Sequence, residues 1–200
     1  MELKHVALVM ADIGGYTRFI KIHKTALLHA EEIISQLMET IIDRASFPLT
    51  LNKLEGDAVL LYADMGDTEK AAARDVARQV TAFFIAFHAK SKELSGSRAN
   101  CPCDACQHIL DLRLKAVLHH GVVAIKKIRQ FEELTGEDVI LVHRLLKNSV
   151  SMSEYILMSA SFHQLAGDLV GYQSEKGEET YDDLGIIDTV VFSPSSSDTN

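Results

Sequence analysis

Residues 5–11 form a short, nearly unbroken apolar run that ends at Asp12 and the turn formers Gly14 and Gly15. A run this short and continuous predicts a strand buried on both faces, with Asp12 at its exit. Past Thr17 the period changes. Leu27, Leu28, Ile33, Ile34, Leu37, Met38, Ile41 and Ile42 recur at helical spacing until Ser46-Phe47-Pro48 breaks the pattern, so a long amphipathic helix is expected. Residues 49–53 and 58–63 have strand character and flank Glu55-Gly56-Asp57, which predicts a hairpin with a tight turn. From Asp67 to about Lys92, a stripe of Ala71, Val76, Val80, Phe83, Phe84 and Phe87 predicts a second helix whose aromatics pack in the core.

Residues 94–108 are polar, contain Gly96 and Pro102, and carry all three cysteines; beyond them, 110–118 and 121–128 read as paired strands. A doubly wound sheet needs a helix between successive strands, whereas this order is βαββαββ. It predicts an α+β sandwich of the ferredoxin-like βαββαβ kind with extra C-terminal strands. Those extras are a short helix over 139–148, a strand at 155–158, a helical turn to Ala166 and a final hairpin through Gly177. Residues 1–192 are expected to form one domain with 94–108 as a cysteine-containing insertion, and the polar, aperiodic stretch 193–200 is expected to be a disordered tail.

Composition narrows the function classes. With 200 residues, 47% apolar and 24% charged, the chain can bury one full core and falls outside the disordered regime. The 28 acidic against 20 basic residues give a net charge of -8, a field that repels phosphate backbones and anionic membrane surfaces. Neither nucleic acid nor membrane is an expected partner. No apolar run is long enough to span a bilayer, and Met1-Glu2-Leu3-Lys4-His5 does not lead into a cleavable apolar segment, so a cytoplasmic location is expected. Cys101, Cys103 and Cys106 are too few and too close together to build a disulfide framework, which fits a reducing compartment.

If the predicted hairpin packs beside the first strand, Asp12 and Asp57 meet at neighbouring tips, and two carboxylates there call for a cation between them. Mg²⁺ suits such a site because it prefers oxygen ligands and shares them with phosphate. Gly14 and Gly15 add backbone N–H groups that could face a phosphate chain. On spacing alone, a helix-start turn and an ordinary Glu-Gly-Asp hairpin explain the same residues.

Four segments in order resemble the class III nucleotidyl cyclase homology domain. Ala11-Asp12-Ile13-Gly14-Gly15-Tyr16-Thr17 looks like the family's opening Asp-Ile-x-Gly-Phe-Thr motif, and Lys53-Leu54-Glu55-Gly56-Asp57-Ala58 looks like its Lys-x-x-Gly-Asp hairpin. Leu112-Arg113-Leu114 through His119-His120-Gly121 is similar to its Leu-Arg-x-Gly-Ile-His-x-Gly strand. Gly136-Glu137-Asp138-Val139 through Arg144-Leu145 is similar to its Gly-x-x-Val-Asn-x-x-x-Arg segment. The resemblance spans roughly residues 5–190 and extends to a divergent group of uncharacterised bacterial proteins distantly related to the cyclases.

That resemblance implies Mg²⁺ or Mn²⁺ held by Asp12, Asp57 and the Ile13 carbonyl, with Gly14, Gly15, Tyr16 and Thr17 on the substrate side. It implies that Lys53 and Glu133 read the purine, in the type that selects ATP over GTP, and that Arg144 stabilises the charged transition state. It further implies a homodimer, one chain giving the metal aspartates and the other the purine-reading pair and the arginine. Two departures stand out. Ile140 occupies the position of the family's ribose-orienting asparagine, a loss that lowers turnover by about 100- to 1000-fold if it resembles removal of an oxyanion-hole donor. Glu55 stands where the family has an apolar residue, and either strengthens cation binding or faces solvent, the latter being the expectation. A lyase of low activity is therefore expected; the alternative is an inactive module that binds nucleotide or a protein.

Cys101, Cys103, Cys106 and His108 lie within eight residues and match the ligand set of a Cys₃His structural zinc site; Cys-x-Cys is an unusual spacing, which leaves open a segment that offers three ligands while the fourth comes from elsewhere or from a partner. A reduced metal-free loop or a redox-sensitive cluster would use the same residues, and would make the fold a scaffold for metal or redox sensing. His119 and His120 are expected on opposite faces of a strand, one of them packed in the core. Lys176-Gly177 resembles a triphosphate-touching loop of some cyclases but equally suits a hairpin tip.

Overall fold

The computed structural model describes residues 1–16, 19–20 and 26–194. β1 (Glu2–Gly14) precedes α1 (Leu27–Arg44), β2 (Thr50–Glu55), β3 (Ala58–Asp64), α2 (Glu69–Ser97) and the short α3 (Asp104–Gln107). A 3-10 turn at Ile109–Asp111 leads into β4 (Arg113–Ile128), β5 (Phe131–Thr135), α4 (Glu137–Leu145), β6 (Tyr155–Ser159), α5 (Ala160–Ala166), β7 (Tyr172–Tyr181) and β8 (Gly185–Pro194).

The strands form one eight-stranded sheet in the order β2-β3-β1-β4-β6-β8-β7, with β5 paired to the far end of β4. β1 runs antiparallel to both β3 and β4, and α1 and α2 make the two crossovers, which is the expected ferredoxin-like βαββαβ unit. β6 then adds parallel to β4 through α4, and the β7–β8 hairpin closes the sheet.

The continuous apolar run of β1 is explained by its two covered faces. Ala7, Val9, Ala11 and Ile13 enter a large core with Ile33, Leu37 and Ile41 of α1, Phe83 and Phe87 of α2, and Phe162 of α5. Val6, Leu8 and Met10 enter a smaller core under Val139, Val142 and Leu145 of α4. Phe83 and Phe87 are fully buried, as their helical stripe predicts, and truncation of either to alanine would cost about 3–5 kcal/mol. Asp12 continues the Val6, Leu8, Met10 set by one step, so it leaves the smaller core at the rim of the cover that α4 provides.

Several expectations need correction. β1 extends to Gly14, which places Asp12 inside the strand. Residues 110–118 and 121–128 are not a strand pair: β4 is unbroken, and its hairpin partner is β5. Gly121, which reads as a break, sits mid-strand because a carboxylate occupies the space a Cβ would take. The last hairpin turns between Tyr181 and Gly185, not at Gly177, which lies in β7 opposite Thr189. Ser193 and Pro194 close β8, and the rest of the 193–200 stretch lies outside the described residues. Among the described residues no helix is long and apolar enough to cross a membrane.

Candidate functional site

Pairing of β1 with its two neighbours sets Asp12 opposite Ala58 on β3 and Lys115 on β4. The Ile13 N–H donates to the Asp57 carbonyl at 3.0 Å, which fixes the tip of the β2–β3 hairpin beside Asp12. The two aspartates therefore meet as the sequence predicts. Lys115 Nζ lies 2.9 Å from Asp12 Oδ2. Burial raises the Asp57 carboxyl above its usual pKa and the charge of Asp12 raises it further, while the backbone at Asp57 and Lys115 pull the other way. Among the described residues, the Lys115 ammonium thus pairs with Asp12 and also acts on Asp57. This donor set suits a hard divalent cation, which would supply the missing positive charge.

An open cleft of about 870 Å³ adjoins the pair. Its walls include Asp12, Ile13, Gly14, Gly15, Tyr16, Asp57 and Lys115, with Ile140, His143 and Arg144 of α4 on the other side. Thr17 lies outside the described residues. Because Asp57 binds its proton more tightly when folded, its stabilising contribution is full below 3.8 and is lost as pH rises through its raised folded value. Asp57→Asn in metal-free buffer is accordingly expected to raise the melting temperature near pH 7 by about 1–3 °C, a gain that vanishes towards pH 4. Thermal melts of both proteins across that pH range check the sign.

Glu55 does not face open solvent. Its Oε1 accepts from Lys53 Nζ at 2.8 Å and its Oε2 lies 3.3 Å from His143 Nδ1, so it ties the hairpin to α4. Lys53 on β2 and Glu133 on β5 stand on strands that are not paired with each other, but bonds of nearby residues join the two regions: Asn52 Nδ2 donates to the Glu132 carbonyl at 3.2 Å, and the Tyr62 hydroxyl of β3 donates to Glu132 Oε1 at 2.5 Å. Neither Lys53 nor Glu133 lines the carboxylate cleft. Arg144 is exposed and stands in the wall of its own chain's cleft, although the resemblance assigns it to the site of the twin chain. Its carbonyl accepts from the Tyr181 hydroxyl at 2.9 Å. Ile140, one helical turn earlier, is 55% exposed on the same cleft. Lys176 sits within β7 opposite Val190 and is not part of that lining.

His119 is the core histidine of its pair, at 5% exposure. Its Nδ1 lies 2.8 Å from Ser159 Oγ and its Nε2 lies 2.8 Å from Asp138 Oδ1. Asp138 also accepts from the Val122 N–H at 2.6 Å. Burial works against the Asp138 carboxylate, yet these two donors with the nearby histidine charges hold its pKa below the usual range. Asp138 was not singled out by sequence reasoning. Its one signal is an acid in the first turn of α4, a common helix-end preference.

The three cysteines do gather, but with a different histidine. His29, on the first turn of α1, points its Nδ1 to within 3.5 Å of Cys101 Sγ, 3.4 Å of Cys103 Sγ and 3.7 Å of Cys106 Sγ. His108 is not among these donors; its Nδ1 lies 2.8 Å from the Asp104 carbonyl. A histidine from the adjoining helix is invisible to local spacing.

The family described as "Protein of unknown function (DUF2652)" matches residues 34–155. An uncharacterized protein of Mycobacterium tuberculosis is 33% identical over 165 residues, covering 82% of this chain and 75% of its own length. Among solved structures, the adenylyl cyclase CyaB from P. aeruginosa superposes with a TM-score of 0.72 at 18% identity, covering 100% of this chain and 98% of that one. The guanylyl cyclase Cya2 gives 0.67 at 13% identity, with 100% and 96% covered. The guanylyl cyclase domain of the RhoGC fusion protein from Blastocladiella emersonii gives 0.67 at 14%, with 97% and 99% covered. At these identities the likeness shows the fold alone. The chain belongs to the DUF2652 family, and its fold is that of the class III adenylyl and guanylyl cyclase domains.

Proposed function

We propose that this protein binds a purine nucleoside triphosphate, preferentially ATP, together with Mg²⁺ or Mn²⁺, and converts it to 3′,5′-cyclic nucleotide and pyrophosphate as a cytoplasmic homodimer. The observation that carries the reading is the pair formed by Asp12 of β1 and Asp57 at the tip of the β2–β3 hairpin, with Lys115 2.9 Å from Asp12, opening into a cleft that also contains Gly14, Gly15 and Arg144. The cyclase fold supports the reading, and the three free thiols fit a reducing compartment.

In this reading Asp12 and Asp57 hold the cation, whose chemistry is Lewis-acid neutralisation of charge on phosphate oxygens. The Gly14 and Gly15 amides orient the phosphate chain. Lys53 and Glu133, which do not line the cleft of their own chain, select the base in the cleft of the twin chain, with Glu55 keeping the Lys53 ammonium in place at 2.8 Å. Arg144 offsets the negative charge that grows as the ribose 3′-oxygen bonds to the α-phosphorus and the bond to the bridging oxygen breaks. The proton of the 3′-hydroxyl passes to solvent and pyrophosphate leaves.

Ile140 favours a second reading. An apolar side chain, 55% exposed at the cleft, offers the ribose no hydrogen bond, which suits a module that binds nucleotide without turning it over. Incubation with ATP or GTP and Mn²⁺ or Mg²⁺ decides between the two. Cyclic nucleotide that disappears with a chelator supports the enzyme. Absent product combined with a nucleotide-dependent rise in melting temperature supports the binding module. With neither effect, both readings fail.

A further inference from the structure

We propose that His29, Cys101, Cys103 and Cys106 form a Cys₃His zinc site that clasps the start of α1 to the linker between α2 and β4. These four are the only group of three or more cysteine-containing donors that converge among the described residues, and they come from two distant stretches of chain. All four ligand atoms lie within 4.8 Å of one another. Tetrahedral zinc, with Zn–S of about 2.3 Å and Zn–N of about 2.0–2.1 Å, has S···N edges of about 3.5 Å and S···S edges of about 3.8 Å. The three Nδ1···Sγ distances of 3.5, 3.4 and 3.7 Å fit those edges, and the Cys101–Cys103 pair at 3.4 Å is slightly tighter. No sulfur is in a disulfide, and an odd number of thiols would leave one unpaired in any case.

The surroundings suit a charged metal centre. Zinc with three thiolates and a neutral imidazole has a net charge of about −1. Arg98 meets that charge: its guanidinium stands beside Cys106 and pairs with Glu32 of α1 at 2.8 Å. Gln107 Nε2 donates to the Cys101 carbonyl at 2.8 Å and fixes the first loop ligand, as outer groups around metal ligands commonly do. Cys106 is buried, Cys101 and Cys103 are half-buried and His29 is exposed, so ions can reach the site. Four protein donors leave no open coordination position, which makes the site structural.

Its place in the fold gives the clasp a purpose. Tyr16, in the wall of the carboxylate cleft, donates to Glu31 of α1 at 3.2 Å, two residues past His29. The clasped linker runs through the 3-10 turn into β4, which brings Lys115 to Asp12. Zinc would therefore fix both approaches to the cleft. The metal site itself does not depend on the nucleotide reading.

Metal analysis of the purified full chain tests the proposal. About one zinc per chain is expected, falling at least fivefold in Cys103→Ser and His29→Ala and unchanged in His108→Ala. Because His29→Ala could unfold α1, His29→Cys provides a second measurement: it should keep one metal, and its cobalt form should change from the absorption spectrum of a three-thiolate, one-imidazole site to that of a four-thiolate site. Substoichiometric zinc in the unaltered chain overturns the proposal. So does zinc that depends on His108 instead of His29, or a cobalt spectrum that His29→Cys leaves unchanged.

Discussion

Ile140→Asn is expected to raise the rate of ATP cyclisation by about 100-fold, with up to 1000-fold as the ceiling, because a single preorganised polar contact to the reacting region has that worth. The substitution should be inexpensive for the fold. Ile140 is 55% exposed and belongs to neither core cluster, and surface changes of this kind usually alter stability by no more than about 0.5 kcal/mol. One turn along α4, Arg144 already faces the same cleft, so a side-chain amide at 140 would project beside it. Steady-state kinetics with Mn²⁺ should show the gain mainly in kcat, the mark of a contact made more strongly in the transition state than with bound substrate. A lower KM with unchanged kcat would mean that residue 140 only helps to bind, and no change at all would show that Ile140 does not limit turnover.

Gly121→Ala is expected to destabilise the fold by about 3 kcal/mol or more, as a buried polar network is broken. A Cβ at this position would come within 2.1 Å of Asp138 Cγ. The carboxylate would have to swing away. His119 Nε2 would then lose its partner in a setting only 5% exposed, and the Val122 N–H would lose its acceptor. For a chain of this length the loss corresponds to a fall in melting temperature of about 6–12 °C. Urea unfolding of Gly121→Ala, Asp138→Ala and the double variant tests the cause. The double variant should cost clearly less than the sum of the two, since either change alone removes the same interaction. A single-variant cost below about 0.5 kcal/mol would show that Asp138 moves aside freely.

The fold was legible where burial and period agree. β1 is covered on both faces and reads as unbroken apolar sequence, while α1 and α2 show stripes facing one core, so the βαββαβ frame follows directly from the chain. The pairing of Asp12 with Asp57 was legible too, because a strand end and a tight hairpin fix both positions locally. What escaped depends on partners distant in sequence. Gly121 reads as a strand breaker until Asp138 is seen to fill its missing side-chain volume. Glu55 reads as a solvated acid until α4 brings His143 to within 3.3 Å of it. His108 was the local choice beside the cysteines, and only the packing of α1 against the insertion reveals His29 as the fourth donor.

The unbroken course of β4 constrains how relatives can differ. This strand of 16 residues carries Lys115 to the carboxylates, His119 to the interior and the pairing partners of β5 at its far end. Side chains alternate between faces at every step, so deleting one residue between positions 115 and 124 would reverse the facing of everything on one side of the gap. Lengthening and shortening next to this strand should therefore fall in the turn at 129–130 or in the cysteine-bearing linker, and homologous chains should keep the spacing from Lys115 to Gly121 constant.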